Sequence, residues 1–453
     1  MMFKNGYYSW LIAAMACVLT IHAEAAVSVN GVSGEDDDGM PPFESVQQAV
    51  IYAIDNGENE VTLDANDISG WSFRLLNNEA QLNPQWPDGT FTIRAGDGFS
   101  PVVTGGNNYL CPHDFPNTTI VLEGFTIDST TFGLITSGNV TLRDMEIVVT
   151  SGGGHACLLS NVNGTNIHFQ PGTKLKVENT VLRRVNAAGS IMVGGHGHQS
   201  YEFRNCQFIS DSSGPSVLTF AGDETVGTAE DVDLTVVGCT FDVATGALNY
   251  SAADSSTAGL EFVNNVVLSA GEHSTAAPVV ALGNNHAASR IVHSTFRVQG
   301  TANVTSLVNL AATMTTTPIN LSNSLFDAPI AGIAGVSVGD AGQAGALTGD
   351  ANAYNMETDH AYQVAGADQG NGFEAANRYL QNATNGVYIS DVNGRITANA
   401  TLVVGRAVAV TPAVTTDIDG ESRPQGPASD IGADEVAEAG GGVTGAARWT
   451  TFE

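Results

Sequence analysis

Eight segments of the chain superpose without a gap: "IVLEGFTI", "VTLRDMEI", "LKVENTVL", "YEFRNCQF", "LTVVGCTF", "LEFVNNVV", "SRIVHSTF" and "INLSNSLF". At their centre stand Gly124, Asp144, Asn179, Asn205, Gly238, Asn264, His293 and Asn323. These residue types enter the left-handed backbone region more readily than others, so each centre reads as a sharp bend between two strands. Two residues before the bend the column is Leu122, Leu142, Val177, Phe203, Val236, Phe262, Ile291 and Leu321. Three residues after it the column is Ile127, Ile147, Leu182, Phe208, Phe241, Val267, Phe296 and Phe326. Both are wholly apolar. A sandwich does not require such matching columns, whereas a stacked solenoid does, because each repeat continues one shared interior.

The position just before the bend points away from that interior and reads Glu123, Arg143, Glu178, Arg204, then Val237, Val263, Val292 and Ser322. Its first half predicts an alternating charge ladder on a solvated face. Its three valines predict an outward apolar stripe that something must cover, and the less regular segment after Pro329 is the candidate. Length and composition agree with a repeat architecture. The chain has 453 residues, only 14% of them charged, and 51 glycines, which fits short strands joined by many turns.

Before the repeats, Ser45 stands where it would cap a short helix with Val46, Ala49, Val50 and Ala53 on one face, and "EVTLDA" reads as a strand. At the extreme N-terminus Lys4 precedes an apolar run from Trp10 to Ile21, and Ala23-Glu24-Ala25 supplies a small-x-small cleavage pattern. The expectation is a signal peptide over residues 1–25; a lipoprotein modified at Cys17 is disfavoured because "AMAC" lacks the usual leucine. No later apolar run is long enough to span a bilayer. The formal charge is −31, and it stays −31 without residues 1–25, which hold one Lys and one Glu. So acidic a chain repels nucleic acid and anionic membrane surfaces, and it repels anionic polysaccharides unless metal ions bridge them.

An acidic-glycine turn, one amphipathic helix and a first strand resemble the start of secreted right-handed parallel β-helices of the pectate-lyase-like superfamily, where the helix covers the open end of the core. The stretch "TTDIDGESRPQGPASDIGADE" adds a specific match, because it resembles the C-terminal signature of bacterial β-helix proteins of the choice-of-anchor Q kind. The matching residues are Asp417, Asp419, Gly420, Arg423, Pro424, Asp430, Ile431, Gly432, Ala433 and Glu435. The fold expected is therefore an all-β, right-handed parallel β-helix with a short N-terminal capping helix. Its parts are a cap and first strands over 26–105, regular coils over 106–330, an irregular C-terminal region over 331–435 holding a short helix near "FEAANRYLQ", and a flexible tail over 436–453.

Candidate chemistry is sparse. Gly195-His196-Gly197 resembles the triplet of polygalacturonase-like hydrolases, which pair it with preceding aspartates and a following Arg-Ile-Lys. Here Arg290-Ile291 is followed by Val292, and no Asp-Asp pair precedes His196 within the repeats. His196 and His198 would share a strand face as two metal ligands without a third, and the glycines around them also read as a loop leading into the next coil. Lyases of this fold use Ca²⁺ with a basic residue, for which Arg183, Arg184 and Arg204 are the candidates. Calcium is also the cofactor that Asp417, Asp419 and Glu421 would hold around the Gly420 turn; a full EF-hand loop is lacking, and the same acids read equally as partners of Arg423. Cys206 and Cys239 occupy one column, close enough on adjacent coils for a disulfide or for stacked free thiols.

The function expected is that of an exported cell-surface or extracellular protein, non-catalytic, binding a polysaccharide or cell-envelope component or serving an adhesive role. The alternative is a polysaccharide lyase or glycoside hydrolase, which would need a groove gathering an Arg or His with at least two carboxylates.

Overall fold

The computed structural model describes residues 27–28, 43 and 46–436, apart from the segments 69–73, 76–85, 106–107, 111, 113–114, 151–155, 161–171, 186–189, 195–198, 212–215, 222–232, 252–258, 273–274, 284–288, 301–302, 312–318, 357–359, 370–371, 375–376, 383–387 and 397–399. Residues 1–25, where a signal peptide is expected, Cys17, Ser45, Cys111, His196, His198 and the tail beyond Val436 lie outside the described residues.

The chain winds into a parallel β-solenoid in which successive coils give one strand to each of three sheets of 12, 11 and 12 strands. Pairing is parallel except at two ends. Val27–Ser28 closes the first sheet antiparallel to Glu60–Leu63, and Ala367–Asp368 folds back on Tyr362–Val364 in the third. Helix α1 (Val46–Asp55) buries Val46, Ala49, Val50 and Ala53 against the first coils, the face its spacing predicts.

All eight bend residues have positive φ, from 50° at Asn179 and His293 to 79° at Gly124. The bend separates each first-sheet strand from its second-sheet partner, and neighbouring bends bond to one another: Asn179 Nδ2 donates to Asp144 Oδ1 at 3.0 Å. Gly238 interrupts this ladder for a steric reason. A Cβ there would stand 2.6 Å from Asn205 Oδ1.

Register matches the two apolar columns. Arg143 pairs with Glu123 and Glu178, so Leu122, Leu142 and Val177 stack; Phe208 pairs with Phe241, Val267 with Phe296. The second column becomes a pile of rings, with centroids 4.6 Å apart for Phe208–Phe241, 5.3 Å for Phe296–Phe326 and 4.9 Å for Phe326–Tyr354. Just inside the bend, where the chain turns and its amides lack ladder partners, side chains supply them. Asn265 Oδ1 accepts from the Cys239 amide at 2.8 Å, and Asn352 Oδ1 from the Ser324 amide at 3.0 Å. Cys206 and Cys239 sit in this column as buried free thiols on neighbouring coils, each directed at backbone carbonyls.

The ladders continue past residue 330. Ala334–Val338, Asn352–Met356 and Tyr362–Val364 extend them, and Ala351 adopts the bend conformation at φ 54°. The helix expected near "FEAANRYLQ" is instead the strand Arg378–Asn382, paired in parallel with Asn352–Met356. The open sheet edge outweighs the local helical pattern. Among the described residues no helix is long and apolar enough to cross a membrane.

From residue 388 the chain leaves the coils and runs back along their outside. Leu325, Ala351 and Ala353 pack with Ile396, Val403 and Ile431, and Val266 packs with Ile418 and Ala433. This clasp covers the outward face of the second sheet over its C-terminal coils, from Val266 to Ala353, and the bend beside it. Of the predicted outward stripe, Val263 and Val292 are only 4% and 1% exposed, while Val237 is half-buried.

Candidate functional site

The clasp has almost no regular strand, so its backbone amides need other acceptors, and the acids of the C-terminal signature provide them. Asp417 Oδ1 accepts from the amides of Asp419 (3.0 Å) and Glu421 (2.7 Å), closing a tight turn in which Gly420 has φ 82°. Asp430 accepts from the Val436 amide at 2.8 Å, and Glu435 from the amides of Gln425 (2.9 Å) and Asp430 (3.0 Å).

Two charged anchors fasten this segment to the coils. At one, Asp327, fully buried, accepts from the amides of Ile389 and Ser390 and from Asn355 Nδ2, while Arg297 lies 3.9 Å above the Tyr388 ring. At the other, Arg423 and Glu435 form an ion pair at 2.9 Å with side chains 0% and 1% exposed. The Arg423 guanidinium also donates to the carbonyls of Asp430 (3.1 Å) and Gly432 (2.9 Å), and it reaches the bend column at Asn264 Oδ1 (3.5 Å). Next along that column is His293. Its Nε2 faces the Nδ2 of Asn323 at 3.1 Å, and the Asn323 amide is fixed by two bonds to Val408. Nε2 therefore accepts from Asn323, while Nδ1 lies 3.2 Å from Arg423 Nη1 and close to the carbonyls of Asp430 and Gly432. Burial, reinforced by Arg423, brings the imidazole pKa down to about 3.

Between the anchors the carboxylates of Asp417, Asp419 and Asp434 come within 4.8 Å of one another. The expected calcium set is corrected here, because Glu421 is not part of the cluster: it turns away to accept from Gln425 Nε2, and Asp434 takes its place. Arg395 already supplies a positive charge, its Nη2 lying 2.7 Å from Asp419. Burial lifts the Asp434 carboxyl to about 7, with Asp417 and Asp419 pushing in the same direction against Arg395. Asp417 is likewise raised by burial. Arg395 and Asp434 carried no signal in the sequence, one lying in an unremarkable "VNGRI" turn and the other at the variable position of the C-terminal signature.

The basic candidates are dispersed. Arg183 faces outward on the second sheet, 3.5 Å from Glu146, whereas Arg204 faces outward on the first and pairs with Glu202. Arg184 is buried and donates to the Ser190 carbonyl at 2.6 Å. His196 and His198 lie outside the described residues, within the five-residue connection from Met192–Gly194 of the third sheet to Ser200–Arg204 of the first.

The first sheet's outer face carries the predicted ladder, with Arg143 3.3 Å from Glu123 and 3.7 Å from Glu178. Arg94 pairs with Glu60 at 2.9 Å, Lys176 with Glu178 at 2.7 Å, Lys174 with Glu202 and Arg290 with Glu261. Compared with protein families, with curated proteins and with solved structures, the chain matches none of them.

Proposed function

We propose that the protein is exported and acts at the cell surface or outside the cell as a non-catalytic solenoid that binds carbohydrate or serves an adhesive or envelope structure. The observation that carries this reading is that every arginine and lysine whose side chain is described is already held by a carboxylate, a carbonyl or an aromatic ring. A lyase needs a basic side chain free to take a proton, and a hydrolase needs two carboxyls reachable from either side of a glycosidic bond. Arg395 does meet three carboxylates, but Asp417 and Asp434 are buried there and accept backbone amides. The leader pattern of residues 1–25 supports export, and the Asp417–Glu435 signature supports a place among pectate-lyase-like β-helices of the choice-of-anchor Q kind.

The test is a panel of neutral and uronic-acid polysaccharides, with and without Ca²⁺, followed for reducing ends and unsaturated products. No turnover is expected, and binding of at least one polysaccharide is. Turnover that disappears in His196→Ala would overturn the proposal and make the Gly195-His196-Gly197 triplet an active site.

A further inference from the structure

The three outer faces of the solenoid differ in kind. The first carries paired charges, and the second lies under the clasp along its C-terminal coils while its earlier coils carry charges such as Arg183 and Asp242. On the third, register stacks Thr219, Asn249, Ala281, Asn309, Ser337 and Gln363 in one outward column. No side chain of this column is charged, in a protein of net charge −31. Charge appears at its last rung, where Gln363 Nε2 donates to Asp368 at 2.8 Å and Asp368 pairs with His360 at 3.0 Å. Toward the N-terminus the column continues into Val193, 37% exposed. At about 4.8 Å per coil, the six polar and small rungs form a straight track of roughly 24 Å.

The hydrogen-bonding capacity of this track is only partly used. Asn249 is exposed and its amide has no partner among the described residues. Asn309 Oδ1 accepts from Ser337 Oγ at 2.7 Å, and its Nδ2 has no partner among the described residues, whereas Thr219, Ser337 and Gln363 already donate to Ser216, Ser306 and Asp368. Amides and hydroxyls both donate and accept, so they suit a ligand whose groups do the same. Ala281 leaves one rung without a polar group. A polyanion would gain no ion pair on this face and would meet the repulsion of the whole molecule, while a polycation would be drawn to the acidic surface elsewhere.

We propose that this column is the binding track of a neutral polysaccharide, whose hydroxyls bond chiefly to Asn249 and Asn309 and use the remaining acceptor capacity of Thr219, Ser337 and Gln363. The proposal rests on the carbohydrate-binding reading above and adds to it the ligand class and the face. Each contact is weak alone, and affinity accumulates along the chain of rungs.

Affinity electrophoresis of the full chain through gels holding hydroxyethyl cellulose, galactomannan, polygalacturonate or alginate tests it. Retardation is expected with a neutral polymer. It should weaken about tenfold in Asn249→Asp/Asn309→Asp, because two donor-acceptor groups become charged acceptors. The matched pair Asn320→Asp/Thr348→Asp, which adds the same charge to the first sheet, should bind like the wild type. Neutral-polymer binding that both pairs leave unchanged, or binding of the polyanions alone, would overturn the track and leave the carbohydrate reading standing. A folded protein retarded by none of the four would overturn both.

Discussion

His293 and Asp434 sit at the same anchorage and respond to pH in opposite directions. The imidazole falls from 6.5 to about 3 on folding, so its contribution is complete above pH 6.5 and is lost as the pH drops toward 3. The Asp434 carboxyl rises from 3.8 to about 7, so it favours the folded clasp when protonated; that contribution is present below 3.8 and disappears as the pH rises through 7. His293→Asn restores the residue type common in the bend column and should flatten the acid side of a plot of unfolding midpoint against pH. Asp434→Asn keeps an oxygen for the Ile396 amide and should flatten the stretch between about pH 4 and 7. Three superimposable curves for wild type and variants would show that neither group is coupled to folding.

The rings inside the second sheet stack in two runs, Phe208–Phe241 and Phe296–Phe326–Tyr354, which Phe262 of the first sheet links past Val267. Phe208, fully buried between its own coil and Phe241, should cost about 3–5 kcal/mol when changed to alanine, read from denaturant unfolding. A loss below 1 kcal/mol would mean that the interior collapses around the gap. This element was legible in the sequence because the bend residues mark its phase: once Asn205 and Gly238 align, Phe208 and Phe241 must share a height. The coils after residue 330 were harder to see because Ala351 stands at a bend where the earlier repeats place glycine, asparagine, aspartate or histidine. The clasp left no periodic trace at all. Arg423 meets Asn264 across 159 residues, a pairing decided by where the chain happens to return and not by any local pattern.

For the molecule as a whole, removing residues 388–436 should uncover Val263, Val266, Leu268, Val292, Leu325 and Ala353, which lie close together on consecutive coils. The shortened protein is expected to bind an apolar dye or to elute as an oligomer in size-exclusion chromatography. A monomeric, dye-silent product would mean that the coils can close over this stripe themselves. The same geometry governs how the molecule bears load. In a solenoid each coil touches only its neighbours, so a pull on a bare C-terminus would peel coils away singly, each at a small force. Here tension on Val436 enters instead through side chains rooted on three different coils, at Asn264, at His293, and at Asn323 with Asp327, and must strain them together. A protein tethered by that end would resist extension as a block.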